Sequence, residues 1–399
     1  MSPDLRLAAW GVTDVGRVRE ANEDAHHVDA QGEVFICADG MGGQAAGEVA
    51  SRMAVEGFLT LLSRPGWKPV RDRWLEDPTL DNRRAVQDFL VAAVQKTHAA
   101  IFQRSQQERD KRGMGTTFEA LVVAGKGAFL VHVGDSRIYL IRDRNALQVT
   151  QDHSLIETML AAGRGTREEL KKSNMKSALV NAMGATPDLA IDVLHFTLTT
   201  GDRFVLCTDG LHEYFEDEEE LCSVLDQRPG EAGAKRLVEL ANERGGKDNI
   251  TCVLVHVEQV AGPPVSRSLK HDLDALKASP LMQGLTFPEA LQMLRFAVER
   301  EVRPGEALPR ITTGDDTGYM VLDGEVVVSE ERTLGPGQLA HAAALVGETS
   351  LDGFPHAPRG ARVLAIRRND FLGLAKDHPS LGVKLLLNLA KLLAGERVA

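Results

Sequence analysis

Apolar residues along this chain follow two rhythms. Val34-Phe35-Ile36-Cys37 and Phe204-Val205-Leu206-Cys207 are unbroken apolar runs of strand length, the pattern of strands covered on both faces. Around them, residues 5–13, 33–38, 118–124, 128–133, 137–142, 191–197, 203–207 and 251–257 are rich in β-branched and apolar side chains and are separated by Gly, Asp and Asn turns, so each is predicted to be a strand. Two longer segments repeat at helical spacing instead. Residues 48–62 carry Val49, Met53, Val55, Phe58, Leu59 and Leu62, and residues 83–107 continue in the same style. Strands and helices come in runs rather than in strict alternation, which predicts a layered α+β architecture.

Two stretches break these rhythms. Residues 151–184 are polar and mostly helical, with Gly163, Gly165 and a Lys171-Lys172 pair, and read as an insertion over the core of the kind that serves as a mobile flap. Residues 258–270 hold Gly262-Pro263-Pro264 among polar neighbours, the mark of a linker. The expected organisation is a first domain over 1–258, a linker over 259–279 and a second domain over 280–399. In that second domain a helix over 288–298 precedes short strands punctuated by glycine, among them residues 319–328, and a leucine-rich helix over 379–394 closes it. The expectation is a smaller β-roll with flanking helices.

Composition narrows the class. Among 399 residues, 43% hydrophobic and 26% charged content describes a globular chain able to bury a large core. A net charge of −11 argues against nucleic-acid or anionic-membrane partners, which attract excess Lys and Arg. With no membrane-length apolar run and no leader-like start, a cytoplasmic protein is expected. The four cysteines are scattered, and three lie inside strand-like runs, so neither a disulfide framework nor a zinc site is expected.

Candidate chemistry sits at the ends of the strands. Asn22-Glu23-Asp24, Asp39-Gly40-Met41-Gly42-Gly43, Thr208-Asp209-Gly210 and Lys247-Asp248-Asn249 each present an acid next to a small or turn-forming residue. One Asp-Gly alone marks a turn. Four such acidic motifs, each at the end of a strand, make a dispersed carboxylate site for a hard divalent cation, because Mg²⁺ and Mn²⁺ prefer oxygen ligands and glycine lets the backbone approach closely.

The order of these motifs resembles the metal-dependent Ser/Thr protein phosphatases of type 2C in their bacterial form. Over residues 5–257 the resemblance rests on Thr13-Asp14-Val15-Gly16-Arg17-Val18-Arg19, Asn22-Glu23-Asp24, Asp39-Gly40-Met41-Gly42-Gly43, Gly113-Met114-Gly115-Thr116-Thr117, Val133-Gly134-Asp135-Ser136-Arg137, Asp152-His153-Ser154, Cys207-Thr208-Asp209-Gly210-Leu211 and Gly246-Lys247-Asp248-Asn249-Ile250-Thr251. It implies a four-layer α-β-β-α sandwich with a metal cleft at one end. Asp39 would bridge two Mn²⁺ or Mg²⁺ ions, the Gly40 carbonyl would help hold one, and Asp209 and Asp248 would hold the other. Asp24 would act directly or through water with Glu23 close behind, and Asn249 and Glu213 would stand beside the ligands. Arg19 would clamp the substrate phosphate with its planar donors. Implied partners are phosphoserine and phosphothreonine proteins and a Ser/Thr kinase with its targets.

Two departures from the family pattern bear on mechanism. Some eukaryotic relatives carry a histidine where Met41 stands, thought to protonate the leaving group. Met41 has no proton to give, so His153 and His212 become candidates, each more readily read as a structural or surface histidine. A third, weaker ion would need Asp135 and Asp209 with a further acid, and Glu213 stands where the family often has Asp; its occupancy is left open.

The second domain is similar to cyclic-nucleotide-binding domains through Pro304-Gly305-Glu306 and Leu322-Asp323-Gly324-Glu325-Val326. Glu348 and Arg359 look like that family's ribose-binding Glu and phosphate-binding Arg. In ungapped register, however, Ala342 and Leu351 take those places. Without its Arg, a buried phosphate has no charge partner. The favoured expectation is therefore a degenerate domain used for docking, dimerisation or control, with cyclic-nucleotide sensing as the lesser reading.

Overall fold

A computed structural model describes residues 5–396 except 30–31, 43–45, 162–163, 167–168, 171–178, 216, 262–268, 286–288, 291–292, 294–295, 309–315 and 348–354. The chain divides into two compact units, Met1–Val265 and Ser266–Ala399.

The first unit opens with β1 (Leu5–Asp14), β2 (Ala25–Val28), β3 (Val34–Ala38) and β4 (Gly40–Met41), followed by α1 (Ala46–Ser63), α2 (Trp67–Glu76) and α3 (Leu80–Gln107). Strands then resume as β5 (Gly115–Thr116), β6 (Phe118–Ala124), β7 (Gly127–Val133), β8 (Arg137–Arg142) and β9 (Asn145–Gln148). After α4 (Leu155–Ala161) come β10 (Asp192–Thr197), β11 (Arg203–Cys207), α5 (Asp209–His212), α6 (Glu218–Gln227), α7 (Glu231–Glu243) and β12 (Ile250–Val260). They build two five-stranded sheets, ordered β1-β12-β11-β8-β9 and β10-β7-β6-β3-β2.

Side-chain alternation explains the layering. On β3, Val34 and Ile36 pack with Ala50, Phe58, Leu90 and Ile101 of α1 and α3. Phe35 and Cys37 are equally buried on the opposite face, where β11 and β12 lie against β3. On β11, Val205 and Cys207 pack with Leu221, Leu225 and Leu237 of α6 and α7, while Phe204 and Leu206 are buried on the other side. Each central strand is thus covered on both faces, which is why it reads as a continuous apolar run. The result is helices, sheet, sheet, helices.

Sequence patterning missed several elements of this unit, among them β2, β9, α2, α6 and α7. β2 reads Ala-His-His-Val, too short and polar to stand out, and it is held by pairing with β3 from Ala25↔Ala38 to Val28↔Phe35. In α2, Pro69 and five charged residues mask a helix whose Trp67 and Trp74 are buried. Trp74 Nε1 donates to the Ala124 carbonyl at 3.0 Å. The predicted flap over 151–184 lies in good part outside the described residues.

Register brings the motif ends together. In one sheet Cys207 pairs with Arg137 of β8 and Cys252 of β12, so the residues before β8, after β11 and before β12 leave from one end. In the other, Ala38 pairs with Ala25, Cys37 with Glu119, and Phe118 with Val133. The segments before β2, after β3, before β6 and after β7 therefore share an end as well, and the short β7–β8 connection carrying Asp135 joins the two sheets there.

The second unit comprises α8 (Leu269–Ala278), β13 (Ala297–Val302), β14 (Thr317–Gly324), β15 (Val326–Ser329), β16 (Arg332–Leu334), β17 (Leu339–Ala340), a 3₁₀ turn (Ala342–Val346), β18 (Ala361–Arg367), α9 (Arg368–Asp377) and α10 (Pro379–Glu396), with a further short 3₁₀ turn at Pro280–Met282. Its four-stranded sheet runs β13-β18-β14-β17 beside a β15–β16 hairpin. Leu276, Leu281, Met320, Leu364, Phe371 and Leu385 share one core.

Three expectations need correction here. The linker expected over 259–279 is shorter, because β12 continues to Val260 and α8 occupies 269–278 with Ala275 and Leu276 buried in the second core. The end of the helix expected over 288–298 is strand, since Ala297–Val302 pairs residue by residue with β18. The segment 319–328 is broken at Gly324, whose φ of +80° ends β14 before β15 begins. Among the described residues, no helix is long and apolar enough to cross a membrane.

Candidate metal centre

Asp24, Asp39, Asp135, Asp209 and Asp248 converge at this end of the sandwich, close enough to act on one another's ionisation. Asp39 follows β3 and is held from both sides by Thr117. The Asp39 N–H donates to Thr117 Oγ1 at 2.9 Å, and the Thr117 N–H donates to the Asp39 carbonyl at 2.9 Å. Thr117 Oγ1 also shares a 2.8 Å hydrogen bond with Ser136 Oγ, beside Asp135. Gly40 then pairs with Thr116. A Cβ at Gly40 would collide with the carbonyl oxygens of Gly47 and Glu23, so only glycine fits the backbone here.

Asp24 is anchored by hydroxyls from the facing sheet. Its Oδ2 accepts from Thr251 Oγ1 at 2.6 Å and from Thr208 Oγ1 at 3.1 Å, and its N–H donates to Asn22 Oδ1 at 3.1 Å. Asn249 ties the loop carrying Arg19, Glu23 and Asp24 to the start of β12. Its Oδ1 accepts from the Glu23 N–H at 2.8 Å, and its Nδ2 donates to the carbonyls of Val15 and Ala21 at 3.0 and 2.9 Å. Glu23 in turn accepts the Ser51 hydroxyl on its carbonyl at 2.6 Å.

Electrostatics single this cluster out. Burial and the charges of Asp24, Asp209, Asp135 and Asp248 push the Asp39 carboxyl well above the usual range. Burial, then Asp248, raises Asp24 despite its two hydroxyl partners. Asp209 is raised by burial and by Asp248, Glu213 and Asp24, and Asp135 is pushed up to about 7 by burial and Asp209. Buried Asp24 Oδ1 and Asp209 Oδ1 have no hydrogen-bond partner. Acids that repel one another, with inward oxygens left unpaired, fit divalent cations, whose charge reverses the repulsion. The donor set of carboxylates and a close backbone carbonyl suits Mg²⁺ or Mn²⁺.

Arg19 stands at the rim, half exposed, with NH2 2.7 Å from Asp248 Oδ2. That hydrogen bond, with the charges of Asp248, Glu23 and Asp39, raises its pKa further. Glu213 follows α5, its N–H on the Asp209 carbonyl at 3.0 Å, and its charge bears on Asp209.

Neither histidine is placed as a proton donor. His212 is buried, its Nε2 donates to the Asp135 carbonyl at 3.0 Å, and burial with Arg137 nearby holds its pKa down to about 3. His153 Nδ1 accepts from the Gly134 N–H at 3.1 Å, and its Nε2 faces Asp192 Oδ2 at 3.2 Å. In the second unit, Arg359 is exposed in a turn and Glu348 lies outside the described residues. Ala342 is buried at the start of the 3₁₀ turn.

Sequence reasoning overlooked the hydroxyls of Thr117, Ser136, Thr208 and Thr251. Ser136, Thr208 and Thr251 stand inside motifs that carry an acid and Thr117 closes Gly113-Met114-Gly115-Thr116-Thr117, which is the signal that could have found them.

Comparison with known proteins agrees with this geometry. A family model described as protein phosphatase 2C matches residues 16–242. The chain is 35% identical over 246 residues to the serine/threonine phosphatase stp of Listeria monocytogenes, covering 61% of this chain and 93% of that one. It is 36% identical over 259 residues to the serine/threonine protein phosphatase PstP of Mycobacterium tuberculosis, covering 63% of this chain and 45% of that one. The crystal structure of the Mycobacterium tuberculosis phosphatase PstP/Ppp superposes with a TM-score of 0.54 at 35% identity, covering 63% of this chain and 99% of that one. A structure of the PstP catalytic domain in complex with two manganese ions gives 0.52 at 35% identity, with 63% and 98% covered.

Proposed function

The chain belongs to the protein phosphatase 2C family, and from that membership together with the carboxylate cluster we infer that it hydrolyses phosphoserine and phosphothreonine in proteins, using two Mn²⁺ or Mg²⁺ ions. The observation that carries this reading is the set of half-buried acids led by Asp39, mutually destabilised and with unpaired buried oxygens at Asp24 and Asp209.

Bound divalent cations supply concentrated positive charge that acidifies water and neutralises phosphoryl oxygens. The residues that would hold them are Asp39, the Gly40 carbonyl, Asp24, Asp209 and Asp248. Thr117 and Asn249 fix the backbone of these loops, so little reorganisation is left for the reaction itself. Arg19 is read as the phosphate clamp. Its planar donors suit phosphate oxygens, and its hydrogen bond to Asp248, one of the proposed ligands, places it beside the cluster. The leaving serine or threonine takes its proton from water, since the N–H of His212 and that of His153 are engaged elsewhere. A third ion at Asp135, with Asp209 and Glu213, belongs to the same proposal.

The test is Mn²⁺-dependent release of phosphate from a phosphothreonine peptide. Asp39→Asn is expected to lose more than about 100-fold, beyond the loss that an outer-shell partner brings. Turnover without added metal, or unchanged turnover in Asp39→Asn, would overturn the assignment.

For the second unit we favour a degenerate cyclic-nucleotide-binding-like roll that docks or controls the phosphatase. Buried Ala342 at the place of the ribose-binding Glu supports that reading. Heat released on titrating cAMP or cGMP into the full chain would reverse it in favour of ligand sensing. The proposed partners are phosphoproteins and the Ser/Thr kinase acting opposite to this enzyme. The proposed compartment is the cytoplasm, with which four free, buried cysteines agree.

A further inference from the structure

Behind Asp135 lies a half-buried polar cluster that the reaction as described does not use. Three consecutive residues, Gln151, Asp152 and His153, grip the loop that carries Asp135. The Gln151 carbonyl accepts from His132 Nε2 at 2.8 Å. The Asp152 carboxylate takes a bidentate pair from Arg137, at 2.9 and 2.8 Å. The His153 N–H donates to the Gly134 carbonyl at 2.6 Å, while His153 Nδ1 accepts the Gly134 N–H at 3.1 Å.

His132, His153 and Asp192 bring nitrogen and oxygen atoms close enough to suggest a cation site of their own. Proton accounting rejects it. His153 Nδ1 accepts from both the Gly134 N–H and the Asn181 amide, the latter at 2.7 Å. The orientation of that amide is set by Ala190, whose N–H donates to Asn181 Oδ1 at 3.0 Å and whose carbonyl accepts from Nδ2 at 2.9 Å. Nδ1 therefore carries no proton, and the single proton of the neutral ring is on Nε2, directed at Asp192 Oδ2. A ring nitrogen bearing hydrogen has no lone pair for a metal. The same accounting gives His153 another task.

Gly134 holds a φ of +115° against Thr117, where a Cβ would strike the threonine methyl. The loop is thus pinned through Thr117 on the Asp39 side and through His153 on the other. We propose that His153, oriented by Asp192 and Asn181, is a positioning residue that sets the Gly134-Asp135 backbone so that the Asp135 carboxylate faces the metal cluster. This rests on the reading of Asp135 as a cation ligand. Asp192 opens β10 and Asn181 precedes it, so the segment returning from residues 151–184 sets the geometry of the weakest cation position.

The experiment titrates Mn²⁺ into the full-length protein, reading free Mn²⁺ by electron paramagnetic resonance, with folding checked by circular dichroism. Outer-shell partners typically carry about 10- to 100-fold in metal affinity. His153→Ala is expected to weaken the weakest Mn²⁺ step by about tenfold, and His153→Asn, whose Oδ1 stands where Nδ1 does and can accept the Gly134 N–H, to restore most of it. A role confined to stability would lower the melting temperature of His153→Ala and leave its Mn²⁺ isotherm at wild type, which would overturn the proposal. If His153→Ala does not fold, Asp192→Ala takes its place, with a weakened step supporting the proposal and a wild-type isotherm overturning it. Asp135→Asn separates the two levels. A wild-type isotherm in that variant removes Asp135 as a ligand and the proposal with it, whereas loss of the weak step there but not in His153→Ala removes the positioning role alone.

Discussion

Single side chains decide how well the acids are aimed. Thr117 satisfies the Asp39 N–H and reaches Ser136 with the same hydroxyl. Thr117→Val keeps the shape but strands that buried N–H, and it should lower kcat at saturating Mn²⁺ by about 10- to 100-fold, with Thr117→Ser retaining most of the rate. A wild-type kcat in Thr117→Val would show that the hydroxyl has no positioning role. His195 offers a test of stability away from the acids. Its ring packs against Trp74 of α2 and Phe129 of β7, its Nε2 has no partner, and burial with the charge of Arg83 on α3 holds its pKa down to about 3. The folded protein keeps the ring neutral while the unfolded chain protonates it near the ordinary histidine value of about 6.5. Stability contributed by the neutral ring is therefore complete above that value and is lost as pH falls toward 3, by about 1.4 kcal/mol per pH unit at full slope. Urea unfolding at pH 7.5 and 5.5 should show a smaller loss in His195→Phe than in wild type; equal losses would contradict the assignment.

At the scale of elements, the end of the sandwich away from the acids is tied by a buried pair. Arg142 at the close of β8 donates twice to Asp202, both at 2.6 Å, and once to the Thr197 carbonyl at 3.0 Å, and Asp202 also accepts the Thr199 N–H at 2.8 Å. Removing one partner leaves the other charge buried and uncompensated. Asp202→Ala should cost about 3–5 kcal/mol in a urea melt while sparing turnover per folded molecule, because β11 separates Asp202 from Asp209. The elements themselves were legible to differing degrees. β3, β6, β7, β8 and β11 stand out because burial on both faces leaves them few polar positions. β2 and α2 did not, since β2 is held by pairing and α2 by two tryptophans set among charges. The connection after β12 was misread because Gly262-Pro263-Pro264 drew attention away from the helix packed just beyond it.

For the whole molecule, the division into two units, each with its own core, carries a prediction about independence. A chain ending at Val265 contains both sheets, every proposed ligand and the full extent of the family match. It should fold and hydrolyse p-nitrophenyl phosphate in the presence of Mn²⁺ at a rate close to that of the full chain. Loss of folding in that truncation would show that the second unit supports the first. Restored folding with a changed rate toward phosphopeptides would instead mark control by the second unit.

The sequence by itself determined the candidate acids, the small or turn-forming residues beside them and their order. A carboxylate at the end of a buried strand needs only local apolar pattern and a turn residue to be recognised. Tertiary structure decided what lies between those acids. Antiparallel register brings the ends of two sheets into one cluster, where mutual repulsion appears that no single motif encodes. It also turned His153 and His212 from candidate acids into neutral rings whose protons are committed, because hydrogen-bond partners come from residues far apart in the chain. The candidate acids were legible from their neighbours in sequence; the place of a histidine depended on which groups the fold set against its two nitrogens.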